Sequence, residues 1–129
     1  MTHQLFEITQ SAVLQNSNGE VLILQHKSGP WLLPGGRINQ GEYYLDALKR
    51  EVKEETGFSD FSIQKILEVD SFIDESKAKY SVTFLCSAPD FKAKLSEEHK
   101  VFAWVTKETL DNYNFWHENI KKRVKKAFE

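Results

Sequence analysis

The sequence lacks several features that mark particular classes of protein. It has one cysteine, Cys86, so it can form no internal disulfide, and nothing else indicates an oxidising compartment. No apolar run approaches the roughly 18–20 residues that span a membrane. The first ten residues have neither the basic start nor the apolar stretch of a secretory signal. We therefore expect a cytoplasmic protein with no membrane partner.

An excess of charge of one sign is also missing. Lys and Arg number 17 against 19 Asp and Glu, for a net charge of −2, so a nucleic-acid partner is not expected. Residues 114–129 are locally basic, and we interpret them as the solvated face of a C-terminal helix. The length of 129 residues and the 40% hydrophobic content predict one globular domain, residues 1–129, with a substantial core.

The hydrophobic pattern predicts strands and helices in a mixed order. Strands are expected at 6–14, 21–24, 61–72, 80–86 and 101–105, the first two as an antiparallel hairpin. The segment Pro34-Gly35-Gly36 predicts an irregular loop whose backbone can approach another group closely. A helical region is expected from about Lys107 onward. Together these elements indicate an α+β sandwich.

The middle of the chain predicts a helix over 39–57. Asn39 is its expected N-cap, and Gly57 is expected to end it in a left-handed conformation. Its apolar stripe consists of Leu45, Leu48 and Val52. On a helical wheel, Glu51 and Glu55 border that stripe. Glutamates at the boundary of a core need a partner, because burying an unpaired charge is costly.

Three carboxylates of this helix, those of Glu51, Glu54 and Glu55, fall within one turn and repel one another. Arg50 can pair with Glu54, but one guanidinium cannot neutralise all three carboxylates. A hard divalent cation that prefers oxygen ligands, Mg²⁺ or Mn²⁺, would resolve the repulsion. An ordinary charged helix held by ion pairs is the alternative reading.

The spacing of these residues is more specific than their chemistry. Residues 36–58 read GRINQGEYYLDALKREVKEETGF, which matches the Nudix box, Gly-x5-Glu-x7-Arg-Glu-U-x-Glu-Glu-x-Gly-U, where U is a bulky apolar residue. All specified positions match, with aromatic Phe58 as a mild departure at the last one. The chance of such a match at one start is on the order of 10⁻⁹ with average residue usage. The chain therefore resembles the Nudix hydrolase superfamily, as a small single-domain, MutT-like member.

The resemblance implies a fold and an activity. The fold is an α/β/α sandwich with a mixed β-sheet, and the activity is Mg²⁺-dependent hydrolysis, with Mn²⁺ as a substitute, of a diphosphate linkage in a nucleoside diphosphate derivative. A small-molecule nucleotide is the expected partner, and both a monomer and a homodimer stay open. An isomerase of the same fold acting on an isoprenoid diphosphate fits less well, because the box is complete in its hydrolase form.

Marks outside the box favour one substrate class over others. ADP-ribose hydrolases of the family tend to have a proline where this chain has Phe72 and Ile73, and dinucleoside polyphosphate hydrolases tend to have a tyrosine where it has Asp74 and Glu75. Elimination thus favours a nucleoside triphosphate pyrophosphohydrolase. Hydrolysis of ADP-ribose or of dinucleoside polyphosphates, and a nucleotide-sensing domain without turnover, are the alternatives.

The resemblance also implies roles for individual residues, in three groups. The metal ligands would be Glu51, Glu54, Glu55 and the carbonyl of Gly35. The catalytic residues would be Glu54, Glu51, Arg50, which orients a neighbouring glutamate, and Glu98, an extra carboxylate from a distant loop. Gly36 and Arg37 are expected to contact the substrate. Glu42 is either a contact at the start of the helix or a more distant ligand, and Gly57 needs only its role as helix stop.

Overall fold

The computed structural model describes residues 2–88 and 99–129, with the backbone alone at 99 and 100. Its strands are β1 (Glu7–Gln15), β2 (Val21–His26), β3 (Trp31–Leu32), β4 (Gly35–Arg37), β5 (Ser62–Ile73), β6 (Ala78–Ser87) and β7 (His99–Val105). The helices are α1 (Tyr44–Thr56), a short 3₁₀ turn (Leu110–Asn112) and α2 (Glu118–Lys126). Neither α1 nor α2, the α-helices of the described residues, is long and apolar enough to cross a membrane.

The strands of the described residues form a mixed sheet. Its order is β3-β2-β1-β6-β5, with β4 paired to β1 and β7 paired to β2. β1 runs parallel to β6 from Glu7↔Lys79 to Gln15↔Ser87, and antiparallel to β4 from Thr9↔Arg37 to Ser11↔Gly35. The central strand β1 therefore links the N-terminal end of β6 to the segment 35–37.

The alternation of side chains along β1 and β2 divides the core between the two faces of the sheet. One cluster includes Ala12 and Leu14 of β1 and packs against Leu48 and Val52 of α1. The other cluster includes Val13 of β1 and packs against α2 and the segment before it. This arrangement of one helix on each face confirms the predicted α+β sandwich with a mixed sheet.

One local prediction is confirmed in a shorter form, and another was wrong. The strands β1 and β2 pair antiparallel, as predicted, but only at Gln15↔Val21, because β1 pairs along its length with β6 and β4. The segment 35–37 is not an irregular loop, since it forms a short strand against β1. The strands β5, β6 and β7 agree with the predicted ones to within a few residues.

The middle helix begins later than predicted. It starts at Tyr44, with Tyr43 as its N-cap, and not near Asn39. The reason is Gly41, whose φ of 79° lies in the left-handed region and prevents a helix from running through it. Asn39 and Glu42 instead form a turn in which the Asn39 N–H donates to Glu42 Oε1 at 3.0 Å. The predicted end is confirmed: Gly57 has φ of 81°, and its N–H donates to the Lys53 carbonyl.

Candidate active site

The segment 35–37 and α1 lie side by side because β1 holds one of them and packs beneath the other. Gln10 of β1 pairs with Gly36, and its side-chain Nε2 donates to the Tyr44 carbonyl at 2.8 Å, so it ties β1 to the first turn of α1. Gln10 is buried, with 5% of its surface exposed, which makes this hydrogen bond a firm attachment. The glycine segment and the acidic helix are thereby fixed beside each other on the central strand β1.

Gly36 touches the carboxylate of Glu51 directly. A Cβ atom at Gly36 would lie 2.6 Å from Glu51 Cδ and 2.8 Å from each of its oxygens. Only a glycine leaves room for this approach, because ordinary carbon contacts are about 3.5–4.0 Å long. The close approach that the glycine pair predicted is thus realised, and its target is a glutamate of the box.

Arg50 holds three carboxylates together. Its Nε and Nη2 donate to Glu42 at 2.8 and 3.0 Å, and its Nη1 donates to Glu51 Oε1 at 2.9 Å. A longer contact of 3.4 Å joins Nη1 to Glu54. The Nη2 atom also donates to the Arg37 carbonyl at 3.1 Å, which connects α1 to β4. Arg50 therefore holds Glu51 in place, and Glu42 anchors Arg50 in turn. The catalytic role that the resemblance implies for Arg50 stays a prediction.

Glu55 is turned toward the glycine segment. It is buried, with 8% of its surface exposed, and its Oε1 accepts the Gly35 N–H at 2.9 Å. Because the Ala12 N–H donates to the Pro34 carbonyl, the Gly35↔Ser11 pair is a non-hydrogen-bonded one. The N–H of Gly35 thus faces α1, and the ligand role of its carbonyl stays a prediction.

The charges of the site are unbalanced, and the pKa values reflect this. Burial raises the pKa of Glu51 above the ordinary value, against the lowering effect of Arg50, and the nearby Glu54 and Glu42 add to the rise. The pKa of Glu42 is lowered, first of all by its hydrogen bond with Arg50. A single guanidinium thus stands among three carboxylates, and a net negative charge remains.

The donor chemistry of the site fits a divalent cation. Carboxylates and a backbone carbonyl are the oxygen ligands that Mg²⁺ and Mn²⁺ prefer. As the side chains stand, no group of three His, Cys, Asp or Glu in the described part of the chain is gathered to hold a metal ion. The reason is visible: Glu51 and Glu54 face Arg50, while Glu55 faces Gly35. Each of the three glutamates thus has a partner within the protein, and its role as a metal ligand stays a prediction.

The remaining predicted residues lie at different places. Arg37 follows the glycine pair, and its Nε lies 3.0 Å from Glu7 Oε1. Glu42 precedes α1 and makes a contact at the start of the helix, one of the two roles considered for it. Glu98 lies outside the described residues.

Sequence reasoning missed two residues that shape this edge. Glu7 lies within reach of both Arg37 and Lys79, at 3.0 and 4.0 Å from its Oε1, and no local pattern could reveal partners so distant in the chain. Gln10 did leave a signal, because it is a polar residue at a core-facing position of a strand with apolar residues at 8, 12 and 14.

Comparisons with known proteins agree with this geometry. A family model described as NUDIX domain matches residues 5–127. The nucleoside triphosphatase NudI of Escherichia fergusonii is 31% identical over 97 residues, which cover 67% of this chain and 68% of the relative. The MutT protein of Methanosarcina mazei superposes with a TM-score of 0.77 at 24% identity, covering 99% of this chain and 96% of the other. A NUDIX-family hydrolase from Clostridium perfringens gives 0.80 at 20% identity, covering 96% and 97%.

Proposed function

The chain belongs to the NUDIX domain family, and we propose that it is a magnesium-dependent nucleoside triphosphate pyrophosphohydrolase. Hydrolases of this family act on small-molecule nucleotides and generally use divalent metal ions. The observation that carries the proposal is that Glu51 lies against Gly36 and Glu55 accepts the Gly35 N–H, while Arg50 links Glu51 to Glu54. The name of the NudI relatives supports the triphosphate as substrate class. The cytoplasmic location and the one-domain organisation stay predictions.

The metal would be held by the carboxylates of Glu51, Glu54 and Glu55 and by the Gly35 carbonyl. When bound, it would neutralise charge on the phosphate oxygens of the substrate and lower the pKa of the attacking water. A metal charge beside Glu51 would favour the ionised carboxylate and so oppose the effect of burial on its pKa.

The protein side chains divide the remaining work. Arg50 fixes the rotamer of Glu51 through a 2.9 Å hydrogen bond, and Glu42 fixes Arg50 in turn. Glu54 is the more open carboxylate, with 57% of its side chain exposed and a 3.4 Å contact to Arg50. We assign to Glu54 the uptake of the proton from the attacking water, because it reaches solvent and its contact with Arg50 is longer than that of Glu51.

A nucleotide panel tests the proposal. The purified protein is incubated with ribo- and deoxyribonucleoside triphosphates and Mg²⁺, and phosphate release is measured with and without added pyrophosphatase. We expect release that depends on pyrophosphatase, with a nucleoside monophosphate as the product identified by mass. ADP-ribose and dinucleoside polyphosphates belong in the same panel, because faster turnover of either would replace the triphosphate as the proposed substrate.

A pair of variants tests the assignment of Glu54. Glu54→Gln is expected to lower kcat by about 10²–10⁴-fold with unchanged thermal stability. Asp46→Asn is the matched control, since it also removes a carboxylate from α1 but on the exposed side of the helix. A Glu54→Gln protein at full rate would contradict the proton-uptake role. Tight nucleotide binding without turnover in the wild type would instead favour the nucleotide-sensing alternative.

A further inference from the structure

A cavity of about 250 Å³ adjoins the candidate active site on the α2 face of the sheet. It lies where β1 and β6 begin, beneath the first residues of α2. Its lining includes Thr9, Phe72, Lys79, Trp116, Asn119 and Arg123. A larger concavity of about 500 Å³ lies at the opposite ends of these strands, lined by Gln15 and Ser87, and so is remote from the glycine segment.

A chain of polar contacts connects this cavity to the acidic helix. Lys79 in the cavity wall lies 4.0 Å from Glu7 Oε1, and the same oxygen lies 3.0 Å from Arg37 Nε. The carbonyl of Arg37 accepts a hydrogen bond from Arg50, which holds Glu51. The cavity therefore lies next to the segment 35–37, since Thr9 in its wall also pairs with Arg37.

The charged groups of the cavity are hydrogen-bond donors. Lys79 and Arg123 can only donate. The Nδ1 atom of His117 accepts the Asn119 N–H at 3.1 Å, so in a neutral ring the other nitrogen carries the hydrogen and donates. No carboxylate is among the residues that line the cavity in the described part of the chain. The cavity is thus suited to a group that presents acceptor oxygens.

Lys79 is the donor with the most freedom to bind such a group. Arg123 already donates to Glu68 at 3.2 Å and to Ser81 Oγ at 3.0 Å. The 4.0 Å separation of Lys79 Nζ from Glu7 exceeds the length of a hydrogen bond. Its ammonium group therefore has N–H donors to offer to a ligand.

Two aromatic side chains give the cavity a second preference. Phe72 and Trp116 line it and keep 49% and 55% of their surfaces exposed. Exposed rings of this kind are stacking surfaces for planar ligands, whereas a phosphate or a carboxylate alone would gain nothing from them. The combination of rings and donors indicates a planar ring that carries carbonyl oxygens.

We propose, on the basis of the nucleotide hydrolase function above, that this cavity binds the nucleobase and that Lys79 selects bases with an oxo group over bases with an amino group at the same position. An oxo group accepts the Lys79 hydrogen bond. An amino group is a donor and leaves the lysine unpaired, which costs binding free energy.

Two pairs of substrates isolate this chemistry, because each pair differs chiefly in one group. ITP and UTP carry an oxo group where ATP and CTP carry an amino group. We expect kcat/KM to be about 10-fold or more higher for the oxo member of each pair. Lys79→Met should bring both ratios below about 3-fold, while Lys122→Met, at an exposed position of α2, should leave them unchanged. Trp116→Ala should raise KM for all four nucleotides and keep the ratios.

Equal kcat/KM values within each pair, or ratios unmoved by Lys79→Met, would overturn the proposal while leaving the hydrolase function intact. If no nucleotide is hydrolysed, the proposed function fails, and the cavity is judged by binding alone. In that case the affinities of IMP against AMP and of UMP against CMP are measured by titration calorimetry. Tighter binding of the oxo members, lost in Lys79→Met, supports the assignment, and equal affinities refute it.

Discussion

Replacing Gly36 with alanine is expected to separate activity from stability. The new Cβ would lie 2.6 Å from Glu51 Cδ, whereas a relaxed contact between carbon atoms needs about 3.5 Å. The carboxylate must therefore move by about 1 Å, away from its hydrogen bond with Arg50. Displacements of that size in a reacting constellation cost on the order of 10²-fold in rate. Folding should suffer little, because the obstructed atoms are the end of a flexible, half-buried side chain.

The assay compares kcat/KM and the midpoint of thermal unfolding in two alanine variants. Gly36→Ala should lose about 10²-fold in kcat/KM and keep its unfolding midpoint. Gly19→Ala, in the turn between β1 and β2, has open space around its Cβ but a φ of 79°. It should therefore lose about 1–2 kcal/mol of stability to backbone strain and keep its activity. If Gly36→Ala loses activity alone and Gly19→Ala loses stability alone, the disturbed Gly36–Glu51 contact is the cause of the lost activity.

A Gly36→Ala protein that retains activity within about 3-fold of the wild type would contradict this expectation. That result would mean that Glu51 can function from a displaced position, and the contact would then be a matter of packing alone. A large loss of stability together with activity would also contradict it, because the position of the Glu51 carboxylate would then be needed for folding as well.

Two ion pairs, the buried cysteine and the proposed metal ion each offer a further test. Arg50→Lys should lower kcat/KM about 10- to 100-fold and destabilise the protein by about 1–2 kcal/mol in urea unfolding, because lysine cannot reproduce the two-pronged contact with Glu42; wild-type behaviour would contradict this. Glu68→Gln should cost about 1–2 kcal/mol in the same assay by weakening the contact with Arg123, and an unchanged midpoint would argue against it. Burial raises the pKa of the Cys86 thiol from 9.0 to about 12. The contribution of this thiol to the free energy of unfolding is therefore fully present below pH 9 and is lost as the pH rises toward 12. At pH 8 an aromatic disulfide reagent should accordingly modify it only as fast as the protein unfolds, and rapid labelling would show that the thiol is accessible. Chelation with EDTA should abolish hydrolysis and added Mg²⁺ or Mn²⁺ should restore it, whereas activity that persists in EDTA would exclude the metal role.

Much of the fold could be predicted because its elements have strong local patterns. The strands at 62–73 and 78–87 are bounded by polar turns, and α1 ends at a glycine in the left-handed conformation. The start of α1 could not be read correctly, because Asn39 and Glu42 form hydrogen bonds that resemble a helix cap while Gly41 turns the chain away. The pairing of β1 with β6 could not be predicted either, since it joins segments about 70 residues apart.

The candidate site shows the same division between local and distant information. The box spacing singled out Gly36, Arg50 and the acidic residues of α1, and the resemblance implied a role for Gly35. Which partner each carboxylate takes depends on three-dimensional contacts, such as the Gly35 N–H for Glu55. Neither the role of Glu7 nor the cavity beside Lys79 has a sequence pattern, because the residues concerned come from four separate segments.

The alternation of side chains along β1 has a practical consequence for engineering. Gln10 points to the side that carries α1, whereas Thr9 lines the cavity beneath α2. Mutant libraries restricted to Thr9 and its neighbours on the cavity side could thus be screened for altered base preference while the acidic helix keeps its support. The cavity-facing positions of β1 could then be varied, while the positions that face α1 should be left unchanged.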